Sequence, residues 1–358
     1  MSRPDKSNPL LCNDSPWNKN TNAIWLGSTL TLLRNLEKFN FPGKLATDKR
    51  QQIIALLARD LLASDQLKQP KLLRAEDMPP LEKEFLVEHF LSNQSFHQAY
   101  VGEAFVIDQT GEFLAVLNLK DHIFLEYIDT REDLENSWEH LIKIELALGK
   151  TVNFAFSSKF GFLTSDPIQC GTGFITTVFL HLPALLYTQR LDDIIKKNKE
   201  DGVEQTGLQG DPHELIGDIV AFHNSYTLGI TEENILSSLR TLATKLVIEE
   251  KSLRQHFQKE SEVEVAEIKD RVSRAYAILL HSYQIEAIEA LKALSLVKMG
   301  LDLEWLKGTS QAALNHLFFA CRRAHLLCQY ERNISHEELP HRRAEFIHKA
   351  LHGLELLI

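Results

Sequence analysis

The chain has no surplus of positive charge. Its 358 residues carry 39 Lys and Arg against 49 Asp and Glu, a formal net charge of −10. That balance excludes the broad basic face of a nucleic-acid-binding protein and leaves room only for a local basic patch. Cysteine is scarce as well. The four present, Cys12, Cys170, Cys321 and Cys328, show no Cys-x-x-Cys spacing. No metal site or disulfide framework is therefore expected, and a reducing, cytoplasmic compartment is. Long apolar runs are missing too. A membrane-spanning helix needs roughly 18 or more consecutive apolar residues, and the nearest stretch, 174–187, is interrupted by Thr176, Thr177, His181 and Pro183. Neither a membrane span nor a signal peptide is expected, and no internal repeat is evident.

The 44% apolar and 25% charged content suits a folded chain with a sizeable core in one large or two ordinary domains. Residues 1–22 are rich in Asn, Ser, Pro and Lys and read as a mobile arm. Residues 24–34 alternate partly, as a strand or a short buried element. Residues 50–62 have helical apolar spacing, and Pro79-Pro80 opens a second helix over 78–91. Short β-rich runs follow at 104–107, 113–117 and 122–127, the first two joined by a hairpin turn at 108–111. A helix over 134–148 ends at Gly149, and 151–156 reads as a strand. Thr231 caps the clearest helix, 231–257, with Glu232 and Glu233 at the positive end of its dipole. Its Ile235, Leu239, Leu242 and Leu246 share one face. Beyond about residue 260 strand signals vanish, and 263–297, 312–329 and 341–357 read as helices. The expected division is an arm over 1–22, a mixed catalytic-type domain over 23–260, and a helical domain over 261–358.

The most informative stretch is 163–186, LTSDPIQCGTGFITTVFLHLPALL. By pattern alone it is a tight Gly-Thr-Gly turn before a core element, since Gly-x-Gly serves ordinary turns as often as phosphate loops. Its residues are more specific. Thr164, Ser165, Pro167, Gly171, Thr172, Gly173 and the block His181-Leu182-Pro183-Ala184-Leu185 resemble the signature of the ATP:guanido phosphotransferases, or phosphagen kinases, above all the bacterial protein-arginine kinase branch. The similarity spans roughly residues 22 to 355. It implies an α+β fold, an antiparallel sheet flanked by helices (the guanido kinase catalytic fold), followed by an all-helical C-terminal domain. It also implies transfer of the γ-phosphoryl group of ATP, with Mg, to a guanidinium nitrogen. Such transfer depends on positioning and on neutralising phosphate charge, work for which the planar fork of Arg is suited.

Where the resemblance places five arginines, this chain has none. The two in the family's Ser-Ser-Arg-x-Arg stretch fall on Thr29 and Thr31, with Arg34 and Asn35 kept just beyond. The third falls on Phe124, the fourth on Ile175 and the fifth on Thr206. A charge-assisted hydrogen bond contributes roughly 1.5–3 kcal/mol. Five such losses, even halved for non-additivity, compare with the roughly 8 kcal/mol of a micromolar ligand. The paired catalytic glutamates become Leu119 and Lys120, and the reactive cysteine becomes Asp166. Asp121 and Asp166 are candidate substitute carboxylates, against a structural role for Asp121 and neutral drift at Asp166. Gly171, Gly173, Gly207, Gly210, Thr227-Leu228-Gly229, Asp270-Arg271, Gly300 and Asp302 match the family and are backbone or packing positions. In the C-terminal part, a family phosphoarginine-binding motif falls on residues 339–344, where only Arg343-Ala344 is kept.

The resemblance with these losses implies a non-catalytic regulatory or scaffolding subunit of a stress-response Clp protease system, with no catalytic residue and no cofactor. Its implied partners are a small zinc-binding activator and a Clp-type chaperone, and a homodimer is expected. Two alternatives stand beside it. One is a working ATP-dependent protein-arginine kinase with a rebuilt site. The other is a module that binds another small ligand in a cleft lined by Thr29, Thr31, Phe124, Ile175 and Thr206. Glu345, His348 and His352 have helical spacing compatible with zinc but imply no further ligand. The charged run 249–270 reads as a solvated helix face, with a partner-docking face as the alternative. Leu291, Leu294, Met299, Trp305, Phe318 and Phe319 are candidate anchors of an association surface, or else core.

Overall fold

Strand β1, Trp25–Arg34, is buried at all ten positions, because its two alternating sets of side chains are both covered. It lies near the middle of an eight-stranded antiparallel sheet in the computed structural model, which describes residues 15–92, 96–198, 202–260, 262–330 and 334–358. The other strands of that sheet are β2 (Lys71–Arg74), β3 (Ala104–Ile107), β4 (Phe113–Leu117), β5 (Ile123–Asp129), β8 (Phe174–His181), β9 (Val203–Gly207) and β10 (Ile219–Asn224). Their order is β2-β3-β4-β5-β1-β8-β10-β9. A small hairpin, β6 (Phe156–Ser157) with β7 (Gly161–Phe162), stands beside it.

Helices α1 (Thr47–Leu62) and α2 (Pro80–Phe90) precede β3. Helix α3 (Leu134–Gly149) packs on β1 and β5, and α6 (Glu232–Lys259) on β8 and β10. The face they cover is fixed by Trp138 of α3, whose ring lies 4.3 Å from that of Phe174. Phe174 sits opposite Leu32 on β1, so Leu30 and Leu32 point toward the helices. Thr29, Thr31 and Leu33 point to the other side, since successive strand residues alternate. Short helices α4 (Pro183–Tyr187) and α5 (Leu191–Lys197) follow β8. The chain then closes with α7 (Glu262–His281), α8 (Ala287–Asp302), α9 (Gln311–Ala320), α10 (Arg323–Cys328) and α11 (Leu339–Ala350), and the two-residue pair β11 (Leu306–Lys307) and β12 (Glu355–Leu356). Among the described residues no helix is long and apolar enough to cross a membrane.

Several expectations need correction. Residues 1–14 of the expected arm lie outside the described residues, but the rest of it is anchored. Trp17 is fully buried, stacks 4.1 Å from Phe319 of α9 and donates its indole N–H to the His89 carbonyl at 2.9 Å. Residues 151–156 yield only the start of β6. The helix expected over 263–297 breaks after α7 because Ile285 bonds elsewhere. Its N–H donates to the Pro340 carbonyl at 3.1 Å, and its carbonyl accepts from Arg343 at 2.8 Å. The helices expected over 312–329 and 341–357 are likewise shorter. β9 and β10 are strands that the local pattern does not announce. Leu291, Leu294, Met299, Trp305, Phe318 and Phe319 are all buried, so they form core and present no surface.

The charged run is not uniformly solvated either. Glu250 and Arg254 on α6 are buried. Glu250 accepts from the first free amides of α4, Ala184 at 3.1 Å and Leu185 at 2.9 Å, and from Arg254 at 2.8 Å. Arg254 then reaches Asp302 of α8 at 3.0 Å. Removing one partner of such a set leaves the others buried and unpaired, at a cost of about 3–5 kcal/mol. Glu250→Ala is expected to lower the urea-unfolding free energy by about that amount. A loss below about 1 kcal/mol, the scale of a surface ion pair, would show that this joint does not hold the helices to the sheet.

Candidate active site

The register gathers the five positions on the face of the sheet opposite α3 and α6. Thr31 lies opposite Glu126 on β5 and Ile175 on β8, and Thr29 lies opposite Ile128 and Thr177. Phe124 shares the face of Glu126 by alternation. Phe179 sits opposite Ala221, and Ala221 opposite Thr206, which brings Thr206 to the same face on the edge strand. Adjacent strands are about 4.8 Å apart, so Thr206 lies three strands, about 14 Å, from the row of Thr31. Thr29, Thr31 and Phe124 are buried, while Ile175 and Thr206 are half-buried. Phe124 packs edge-on against Phe96 at 6.2 Å. None of the five is charged.

Sequence reasoning missed Glu126. It is 3% exposed, its Oε2 has no hydrogen-bond partner, and burial pushes its carboxyl up to about 8. The available signal was parity, since Glu126 is two residues from Phe124 in a strand.

The neighbouring frame is built from backbone contacts. Gly171 has φ +105°, and a Cβ there would stand 2.4 Å from the Thr227 carbonyl oxygen. Gly173 donates no side-chain bulk where its carbonyl accepts from Leu33 N–H at 2.9 Å, and a Cβ would meet the Leu33 oxygen at 2.8 Å. The turn is thus pressed between the end of β1 and the 227–229 loop. Arg34 is buried, donating to Glu145 of α3 at 2.9 Å and to the Leu33 and Thr172 carbonyls at 2.8 Å. It braces the turn and does not reach toward the five positions.

Asp121 is a structural residue. Its Oδ1 accepts from Asn35 and from the Ser165 amide at 2.6 Å, and its Oδ2 from the Ser165 hydroxyl at 2.9 Å. Asp166 is exposed and caps the turn at Pro167–Gln169 through the Ile168 amide. Leu119 is half-buried and Lys120 exposed. His181 is buried and its imidazole is held neutral well below the ordinary range, chiefly by burial. Its Nε2 is 2.8 Å from the Ser295 hydroxyl and its Nδ1 3.1 Å from the Ala23 carbonyl, so the motif around it joins sheet to α8. In the C-terminal part Arg343 is buried against the Cys321 and Ile285 carbonyls, and Arg342 is paired with Glu338 and Glu345. His348 is on α11, but His352 lies past its end, and Glu345 is engaged by Arg342. Among the described residues no group of three or more His, Cys, Asp or Glu side chains converges to hold a metal ion. A groove of about 570 Å³ lies beyond the Gly171 turn, lined by Phe156, Phe160, Leu228 and Thr231 among others. It touches none of the five positions.

Comparison with known proteins accounts for this layout. Residues 52–253 match the family described as ATP:guanido phosphotransferase, C-terminal catalytic domain, and residues 265–356 match the protein-arginine kinase McsB C-terminal domain. The chain is 35% identical over 340 residues to a protein-arginine kinase of Chlamydia pneumoniae, covering 93% of each. It is 31% identical over 326 residues to one of Halothermothrix orenii, covering 90% of this chain and 92% of that one. The crystal structure of a lombricine kinase shares the fold, with TM-score 0.58 and 16% identity over 74% of this chain and 75% of that one.

The expectation of no cofactor is overturned by these matches, because the family is described as an ATP:guanido phosphotransferase and the relatives as kinases. The five positions do not themselves fit a triphosphate. They offer hydroxyls at Thr29, Thr31 and Thr206 but no positive charge, and Glu126 shares their face. The turn beside them does make a definite demand. Gly171→Ala forces both a left-handed φ and a clash with the Thr227 carbonyl. It is expected to destabilise the protein by about 2 kcal/mol or more, read as a lowered midpoint in chemical unfolding. An unchanged midpoint would show that the turn is not pressed against the 227–229 loop.

Proposed function

Because the chain belongs to the ATP:guanido phosphotransferase family, in its protein-arginine kinase branch, we propose that it acts on arginine side chains of proteins, with ATP and Mg as the phosphoryl donor, through a rebuilt and slow site. The observation that carries this reading is the register. It keeps all five expected positions on one face of the family's sheet, in a chain similar to named kinases over nearly its whole length. Those names favour phosphoryl transfer over a purely regulatory role. Slowness follows from the missing guanidinium groups, which would otherwise stabilise the transferring phosphoryl group.

A second reading is a regulatory or scaffolding subunit, working in the cytoplasm with a small zinc-binding activator and a Clp-type chaperone, as a homodimer. Lys120 favours it. This cation stands where the resemblance calls for an acid that would hold arginine, while Asp121 is fully occupied in binding Asn35 and Ser165.

Acid-labile label on arginine, after incubation with Mg, γ-labelled ATP and casein, separates the two. A low level of label is expected from the wild type. Ile175→Arg restores one guanidinium at a half-buried rim position, and at roughly 1.5–3 kcal/mol it is expected to raise the rate about ten- to hundred-fold. Absence of label from both proteins would overturn the kinase reading and leave the subunit reading, to be followed by light scattering and pull-down.

A further inference from the structure

The C-terminal helices meet α2 at a cluster of rings outside the cleft. Phe85 and His89 stand one turn apart on α2, and His325 of α10 lies against both. The His325 ring is 4.1 Å from Phe85 and 5.9 Å from His89, stacked on each. Trp17 and Phe319 of α9 close the same cluster, the Trp17 indole bonding the His89 carbonyl. Both histidines are buried, and each ring uses one nitrogen only. His89 Nε2 is 2.8 Å from the Gly111 carbonyl, and His325 Nδ1 is 2.8 Å from Glu88 Oε2. Burial works against the charge on Glu88, but His325, Arg322 and the Ala324 amide outweigh it and hold the carboxyl at about 2. A carbonyl and a carboxylate only accept, so these two nitrogens carry the hydrogens. The other two, His89 Nδ1 and His325 Nε2, have no hydrogen-bond partner among the described residues. A proton added to either makes a buried charged donor with nothing to bond, beside a stacked ring that repels a second charge.

The surrounding groups offer no relief. On α2, Glu88 is occupied by the amides of Ala324 and His325 and by the His325 ring, and Glu84 by Arg323. Arg322, just before α10, donates to the Glu88 carbonyl at 3.0 Å and adds like charge. On α9, His316 is exposed. Cys321 and Cys328 are neutral thiols, each pushed up to about 12, chiefly by burial. Arg343 of α11, bonded to the Cys321 carbonyl, is a further cation. Beside Gly111, Asp108 is engaged by Thr110 and Glu112 by Tyr127. Burial, and then the like charge of His325, lower His89 to about 3. Burial also lowers His325, although Glu88 pulls the other way.

We propose that His89 and His325 form an acid-sensitive latch between α2 and α10, closed while both rings are neutral and opened when they take up protons. The latch reaches the cleft through the chain that follows α2, where Phe96 packs on Phe105 and Phe124 of the sheet. It does not depend on whether phosphate is transferred. A histidine held neutral by folding takes a proton near pH 6.5 once released. The closed state therefore has its full stability above about pH 6.5. It loses stability as pH falls below that value, down to about pH 3 for His89. Between pH 7.5 and pH 5.5 the opening constant is expected to rise about tenfold for His89 and by up to about a further tenfold for His325.

Hydrogen exchange of the full chain, followed by mass spectrometry at those two pH values and corrected for intrinsic rates, tests this. Peptides over α2 and α10 are expected to lose about ten- to a hundred-fold in protection on acidification, while those over β1 and β4 stay within about threefold. His89→Gln keeps a donor for Gly111 and His325→Asn keeps one for Glu88, and neither new side chain titrates. Each is expected to remove its own share of the pH dependence, about tenfold for His89→Gln. A second readout needs no variant. Labelling of buried Cys321 by 4,4′-dithiodipyridine, located by peptide mapping and referred to the rate of free cysteine at each pH, is expected to accelerate by the same factor in the wild type.

An equal loss of protection over β1 and β4, or a pH dependence that survives both variants, would overturn the latch. An unchanged rate at Cys321 in the wild type would do the same. Slower exchange and labelling at pH 5.5 would overturn it in the opposite sense, with a charged His325 tightening its hold on Glu88.

Discussion

The carboxylate of Glu250 is the point on which the arrangement of sheet and helices depends. It is fully buried, yet three donors meet it: two backbone amides at the start of α4 and the guanidinium of Arg254. Through Arg254 the same cluster reaches Asp302 on α8 and the carbonyl of His181 at the end of β8. The His181 ring continues it to Ser295 on α8, Ser295 in turn donates to Asp218 before β10, and the His181 amide donates to the Ile24 carbonyl just before β1. A buried charge with every partner in place is tolerable, and with one removed it is not. Each member therefore constrains the others, and the ends of three strands are tied to α4, α6 and α8 in one geometry. The His-Leu-Pro-Ala-Leu block that looks like a site motif is the middle of this joint.

The same distinction explains the mixed condition of the cleft. Gly171 and Gly173 sit where backbone meets backbone and a side chain does not fit. Arg34, Asn35 and Asp121 spend their polar groups on carbonyls, amides and each other. These residues hold the frame whether or not phosphate is transferred. Thr29, Thr31, Phe124, Ile175 and Thr206 point from the strands to the face opposite α3 and α6, and the frame places no comparable demand on them. A change of chemistry at these five is thus compatible with an intact fold, and the matching turn residues report on architecture more than on catalysis.

Much of this was legible in the chain. The alternation of Thr29, Leu30, Thr31 and Leu32 marks a strand with two unlike faces, and the spacing of Ile235, Leu239, Leu242 and Leu246 marks the buried side of α6. Local patterns failed where the deciding bond came from far away. The helix read across 282–286 is broken by a carbonyl of Pro340 and the side chain of Arg343. Glu250 and Arg254 look solvated because nothing nearby in sequence announces the amides of Ala184 and Leu185. Trp17, in a stretch with the composition of an arm, is held by Phe319, some three hundred residues on.

By itself the sequence determined the family, the antiparallel sheet followed by helices, and the identity of the five uncharged positions, because these rest on local patterning and on motif residues read in order. Only the tertiary structure decided that those positions share one face, that the candidate acids Asp121 and Asp166 are engaged in holding loops, and that Glu126 stands among the threonines with an unpartnered oxygen. The physical reason is pairing register. One residue of strand slip would turn Glu126 toward the helices, and that register is set by contacts between strands far apart in the chain, which no window of sequence contains.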